Sequence, residues 1–162
     1  NYRISELNAA VGLAQLRKLD RILEIQRAHA ARLREALSQY PEISFREIPD
    51  PEGDSATFLT FFLPDEARAR EVAAELAKAG VDACFYWYDN NWHYYRRWAQ
   101  FRELRSPAPL PQTLLEKIPD LGGEHLQQSD RVVGRAISML IKLSWTEADT
   151  DERIRRLAGV FA

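Results

Sequence analysis

The sequence predicts a domain of mixed class, α/β or α+β, in which helices cover a sheet. Three observations predict it. A helical apolar stripe runs from Ile4 to Leu37, short β-rich runs alternate with helical runs after it, and Gly and Pro punctuate the joins.

Ile4, Leu7, Val11 and Ala14, then Leu19, Ile22, Leu23, Ala30, Leu33 and Leu37, recur mostly at three- and four-residue steps, as on a helix with one buried face. Ser5 supplies an N-cap and Pro41 a stop, so one helix from Ser5 to Gln39 is expected, about 50 Å long at 1.5 Å per residue. A small core does not need that length, so part of the helix is expected to pack on something else. Gly12 inside the stripe costs about 1 kcal/mol against Ala and is tolerable where another backbone approaches closely.

Ile43 to Ile48 reads as a strand, residues 49–54 as a loop rich in Pro and Asp, and Thr57 to Leu63 as a second strand. Asp65 to Ala79 has helical spacing and stops at Gly80, a natural residue for a helix C-terminus, before Val81 to Tyr86 resumes as strand. A short helix is expected from about Tyr94, and Pro107, Pro109, Pro111 and Pro119 make the following stretch extended. Ser129 and Asp130 are expected to cap a short helix, Ile137 to Leu143 to form a strand, and Thr150 to Phe161 to close the chain as a helix beginning in acids.

At 162 residues the chain has the length of one ordinary domain, which buries about 70% of its unfolded surface. Lys and Arg total 22 against 24 Asp and Glu, and a formal charge of -2 gives no global attraction to nucleic acid or an anionic membrane. The single Cys84 makes no internal disulfide. There is no charged-then-apolar leader and no apolar run near about 18 residues, so neither secretion nor membrane spanning is signalled, and a reducing cytoplasm is the simplest location. The chain begins at Asn1 without an initiator Met and runs directly into a helical pattern, as a piece from the middle of a larger protein would.

The densest chemical signal is residues 85–98, where Phe85, Tyr86, Trp87, Tyr88, Trp92, Tyr94, Tyr95 and Trp98 are aromatic. One reading is packing, with Trp92, Tyr95 and Trp98 on a core-facing helix edge. Packing accounts less well for the polar insert Asp89, Asn90, Asn91 and for His93, because amides beside aromatic faces suit a pocket for a polyhydroxylated ring. A nucleic-acid reading can invoke Arg96, Arg97 and stacking rings, but it lacks wider basic context and any RNP-like pattern. His29, His93 and His125 are scattered, so no metal site is expected, and Gly122 with Gly123 is too little for a phosphate cradle. Asn1, Tyr2 and Arg3 read, on residues alone, as a polar loop whose Asn offers a capping oxygen.

The opening NYRISELNAAVGLAQLRKLD resembles the DegT/DnrJ/EryC1/StrS sugar aminotransferases. The resemblance implies the small C-terminal domain of the aspartate-aminotransferase fold: residues 1–162 form that domain, residues 1–40 are its long interdomain helix, and a large pyridoxal-phosphate domain lies outside the chain. It implies that Asn1 reaches the cofactor phosphate of a neighbouring subunit and that Arg3 pairs with a substrate carboxylate. It also implies that His93, with Tyr88, Asn91 and Trp92, contacts substrate in the adjoining site of a homodimer. L-glutamate is the implied donor and a keto or aldehydo sugar acid the acceptor. The strings ISFREIPDPEGDSA and FYWYDNNWHY resemble a branch acting on the C8 aldehyde of a 3-deoxy-octulosonate in lipopolysaccharide biosynthesis. No catalytic residue is assigned, since Lys18, Lys78, Lys117 and Lys142 do not match the family's Schiff-base position, and the chain alone is expected to be inactive. A noncatalytic carbohydrate-binding, regulatory or dimerisation domain is the competing reading.

Overall fold

The computed structural model describes residues 3–90, 92–118 and 126–162. Ser5 caps the first helix as expected: its hydroxyl accepts the Asn8 amide at 3.2 Å at the start of α1 (Glu6–Leu16). The expected single helix is instead two. α2 (Leu19–Ser38) begins after a break at Arg17 and Lys18, where the Lys18 amide turns back to the Gln15 carbonyl at 2.9 Å. The break falls where the apolar stripe takes a five-residue step from Ala14 to Leu19, out of phase with a 3.6-residue turn. α2 buries Gln26, His29, Ala30, Leu33 and Leu37, whereas α1 buries no residue.

Four strands form one antiparallel sheet in the order β1-β2-β4-β3, with β1 Ser44–Phe45, β2 Phe58–Phe62, β3 Cys84–Tyr86 and β4 Ala136–Leu140. β1 is shorter than the sequence suggests, although the Arg46 amide still reaches the Thr60 carbonyl at 3.2 Å. Between β2 and β3 runs α3 (Glu66–Lys78). Both strands are antiparallel to β4, so they run parallel to each other with β4 inserted between them, a split β-α-β unit. Asp65 caps α3 by accepting the Arg68 amide at 2.9 Å, and Gly80 ends it with φ +69°, a backbone region open to glycine.

The closing helix α7 (Glu147–Phe161) starts earlier than expected, because Thr146 and Asp149 form a reciprocal capping box. Period-two alternation sends Leu59 and Phe61 of β2, with Ile137 and Met139 of β4, to one face of the sheet. There they pack with Leu33 and Leu37 of α2, Val72 and Leu76 of α3 and Leu157 of α7 in a single core. Short elements lie between β3 and β4: a 3₁₀ turn at Tyr95–Arg97, α4 (Ala99–Arg102), α5 (Gln112–Leu115) and α6 (Gln127–Val133). Ser129 and Asp130 sit inside α6 rather than capping it. Its N-cap is Leu126 in the left-handed region, and the helix is one turn longer at its start than the capping residues indicated.

Candidate functional site

The same alternation that builds the core leaves Phe58, Thr60 and Phe62 of β2, Ala136 and Ser138 of β4, and Phe85 of β3 on the sheet's other face. A solvated antiparallel face is ordinarily polar. Here three Phe rings flank one hydroxyl pair, Thr60 Oγ1 and Ser138 Oγ at 2.8 Å, with Ser138 only 4% exposed.

The chain leaving β3 folds back over this face. Trp87 stacks on Phe85 with ring centroids 5.0 Å apart, and the His93 imidazole meets Trp87 edge-on at 5.0 Å. Trp92 lies against Phe85 and Trp87 at 6.1 and 6.2 Å but stays 63% exposed, so it is not a core residue. Tyr94 turns inward and is buried against Tyr88, at 5.0 Å.

Charges on neighbouring elements hold this loop. Asp89 pairs with Arg70 of α3 and with Arg97, and Arg70 also lies over the rings of Tyr86 and Tyr88 at 5.3 and 5.6 Å. The Arg96 guanidinium grips Asp130 of α6, its Nε 2.7 Å from Oδ1. The Asn90 side-chain oxygen accepts the Trp92 amide at 3.0 Å, and the Tyr86 hydroxyl donates to the Gly134 carbonyl at 2.6 Å. Asp89 and Asn90 thus build the loop, a role that the sequence reading had not given them.

Two clefts meet beneath Trp87 at the Thr60 and Ser138 hydroxyls. One, of about 320 Å³, is walled by Phe62, Ala136, Val132 and Val133, with His93 and Tyr94 on its border. The Tyr94 hydroxyl is buried and has no hydrogen-bond partner among the described residues. The other, of about 300 Å³, is the more polar of the two: it adds the hydroxyls of Ser55 and Thr57, the Phe58 ring, and the charged pair Arg46 and Asp54.

Of the residues predicted to bind substrate, Trp92 and His93 come together beside Trp87. Tyr88 lies behind Tyr94, with its carbonyl accepting Arg97 Nε at 3.1 Å. Arg3 is exposed in the extended segment before α1 and lines neither cleft. Asn1 and Asn91 lie outside the described residues, as do Pro119, Gly122, Gly123 and His125. Sequence reasoning missed Thr60, Ser138 and Arg46, which only strand register brings to Trp87.

The shifted ionisable groups of β3, the loop and α6 line neither cleft. Burial pushes the Tyr86 phenol up to about 12, and Tyr88 is raised by burial and then by the nearby Glu66 and Asp130 charges. Asp130 is itself raised by burial and by Glu66. Cys84 is pushed up to about 12 by burial, leaving a thiol and not a thiolate at neutral pH. Lysine is missing from both clefts: Lys142 pairs with Asp82, Lys78 closes α3, and Lys18 and Lys117 are exposed. Neither cleft therefore offers a lysine for a Schiff base, and among the described residues no cluster of metal-ligating side chains occurs.

The model of the DegT/DnrJ/EryC1/StrS aminotransferase family matches residues 1–135. Solved structures share the fold across nearly the whole chain. A DegT DnrJ EryC1 StrS aminotransferase from Brucella abortus aligns with TM-score 0.65 and 21% identity, covering 99% of this chain and 36% of that one. The sugar aminotransferase CalS13 from Micromonospora echinospora aligns with TM-score 0.63 and 20% identity, covering 98% and 37%. A 3-amino-5-hydroxybenzoic acid synthase aligns with TM-score 0.61 and 18% identity, covering 99% and 39%. The chain thus spans little more than a third of the length of each of these structures.

Proposed function

Because the chain belongs to the DegT/DnrJ/EryC1/StrS aminotransferase family, we propose that it is the small domain of a pyridoxal-phosphate aminotransferase that moves an amino group from L-glutamate to a sugar acid. The cofactor, when bound, supplies the electron sink for amino transfer, and it is held mainly by residues outside this chain. This chain's part is recognition. The observation that carries the reading is the aromatic loop over the sheet's second face, which sets the His93 imidazole at the border of a cleft with the Trp92 ring packed edge-on against it.

In this reading His93 contacts the acceptor, and Trp92 covers it from solvent. The acceptor is a 3-deoxy-octulosonate bearing a C8 aldehyde, the chemistry to which the strings around Phe45 and Trp92 are similar. Asn1 and Arg3 serve a neighbouring subunit's cofactor phosphate and substrate carboxylate. A homodimer agrees with α1, where Leu7, Val11 and Leu16 are 75%, 54% and 64% exposed and need a covering surface.

The test is the absorption spectrum of the full-length protein before and after L-glutamate. A visible cofactor band that moves to the near ultraviolet supports the reading. No band, or one indifferent to glutamate, contradicts it and favours a noncatalytic carbohydrate-binding or dimerisation domain, the alternative consistent with clefts that hold no lysine.

A further inference from the structure

The polar cleft on the other side of Trp87 from α6 carries its own chemistry. Ser55 Oγ and Thr57 Oγ1 lie 2.8 Å apart, as do Thr60 Oγ1 and Ser138 Oγ. Each hydroxyl has one donor and two acceptor sites, so each pair uses one donor internally and keeps one donor and three lone pairs for a ligand. A surface offering both donors and acceptors suits hydroxyls, which need both.

Arg46 stands at the rim. Its Nη2 is 3.7 Å from Asp54 Oδ1, an attraction too long for a hydrogen bond. Arg68, Arg70 and Arg96 each donate hydrogen bonds to carboxylates, but no described group accepts one from the Arg46 guanidinium. Asp54 is itself engaged, its Oδ2 accepting the Ala56 amide at 3.2 Å. An anionic ligand would give the Arg46 fork the paired bonds that Asp54 leaves unmade.

Phe58 and Trp87 complete the cleft with apolar walls, which suit the C–H faces of a sugar ring. The volume, about 300 Å³, lies at the lower end for small-molecule sites, room for one ring. We propose that this cleft binds an anionic monosaccharide, with Arg46 holding its carboxylate or phosphate, the two hydroxyl pairs its hydroxyls, and Trp87 and Phe58 its ring. The proposal rests on the sugar-acceptor reading above and deepens it, placing the acid group of the acceptor at Arg46, a residue that reading does not use.

Calorimetric titration of the full-length protein with D-glucuronate, D-glucose 6-phosphate and D-glucose tests the proposal without any turnover. Its failure is therefore separable from failure of the glutamate test. An anionic sugar should bind at least tenfold more tightly than glucose. Tighter binding of glucuronate assigns a carboxylate to Arg46, and tighter binding of the 6-phosphate assigns a phosphate. Arg46→Gln should reduce the preferred anion to the affinity of glucose, while Arg46→Lys should keep part of the preference. Equal affinity for all three sugars, no binding, or a preference untouched by Arg46→Gln would overturn the proposal. Arg46 is half exposed and outside the core, so an unfolded variant is not expected; an unchanged circular dichroism spectrum checks this.

Discussion

Thr60 and Ser138 share a hydrogen bond of 2.8 Å across the β2 and β4 pair, on the face of the sheet opposite the core. Ser138 is nearly buried while Thr60 is half-buried, so the bond satisfies a hydroxyl that water reaches poorly. Ser138→Ala should cost about 1 kcal/mol, the net value of such a bond. The double variant Thr60→Val with Ser138→Ala should cost less than the two singles added, because it leaves no orphaned hydroxyl. Urea unfolding midpoints measure this, and strictly additive losses would contradict it.

Asp89 ties the aromatic loop to α3 through Arg70 and to the 3₁₀ turn through Arg97. These groups are all well exposed, so Asp89→Ala should lower global stability by no more than about 1 kcal/mol. Its effect should be local. Amide exchange across residues 87–98, read by mass spectrometry, should quicken several-fold while the β2 and β4 amides keep their protection. A loop with unchanged exchange would show that the rings alone hold it.

Cys84 lies on the core side of β3, and burial raises its thiol to about 12. It should resist a disulfide reagent such as dithionitrobenzoate in the native protein and react promptly after denaturation. Rapid native reaction would mean that β3 opens readily at its start.

The Arg68 guanidinium makes paired bonds of 2.9 Å to both oxygens of Glu42, and that hydrogen bonding lowers the Glu42 carboxyl below its ordinary value. A depressed folded value means that the pair's stabilisation is fully present above the unfolded value, about 4.3, and is lost as pH falls through the folded one. Glu42→Gln should therefore cost about 0.5–1 kcal/mol at pH 7, and the gap from the parent should close below about pH 4. A gap that stayed constant down to pH 3 would contradict this.

Local signals made much of the fold legible. Asp65 and Gly80 bound α3 as their residue types indicate, and the β-rich run from Thr57 to Leu63 reads directly as β2. The helix break escaped because no Gly or Pro marks it, only the five-residue step after Ala14. Thr146 and Asp149 carried a capping signal in plain view, four residues before the expected helix start. At the site, the density of rings in residues 85–98 was visible, but the partners of the polar insert were not. Arg70 and Asp89 are nineteen residues apart, and Thr60 and Ser138 seventy-eight, so only the strand order brings them together. The resemblance of the opening motif to an aminotransferase family holds over residues 1–135, whereas no short motif marked the Arg46 cleft.

The central claim is that this chain lends its aromatic loop to an aminotransferase acceptor site, and steady-state kinetics of the full-length protein carrying His93→Asn test it most directly. His93 is exposed at the border of its cleft, so the unfolding midpoint should stay near that of the parent. The account predicts that kcat/KM for the sugar-acid acceptor falls at least tenfold. A variant with parental kcat/KM for the acceptor would contradict it.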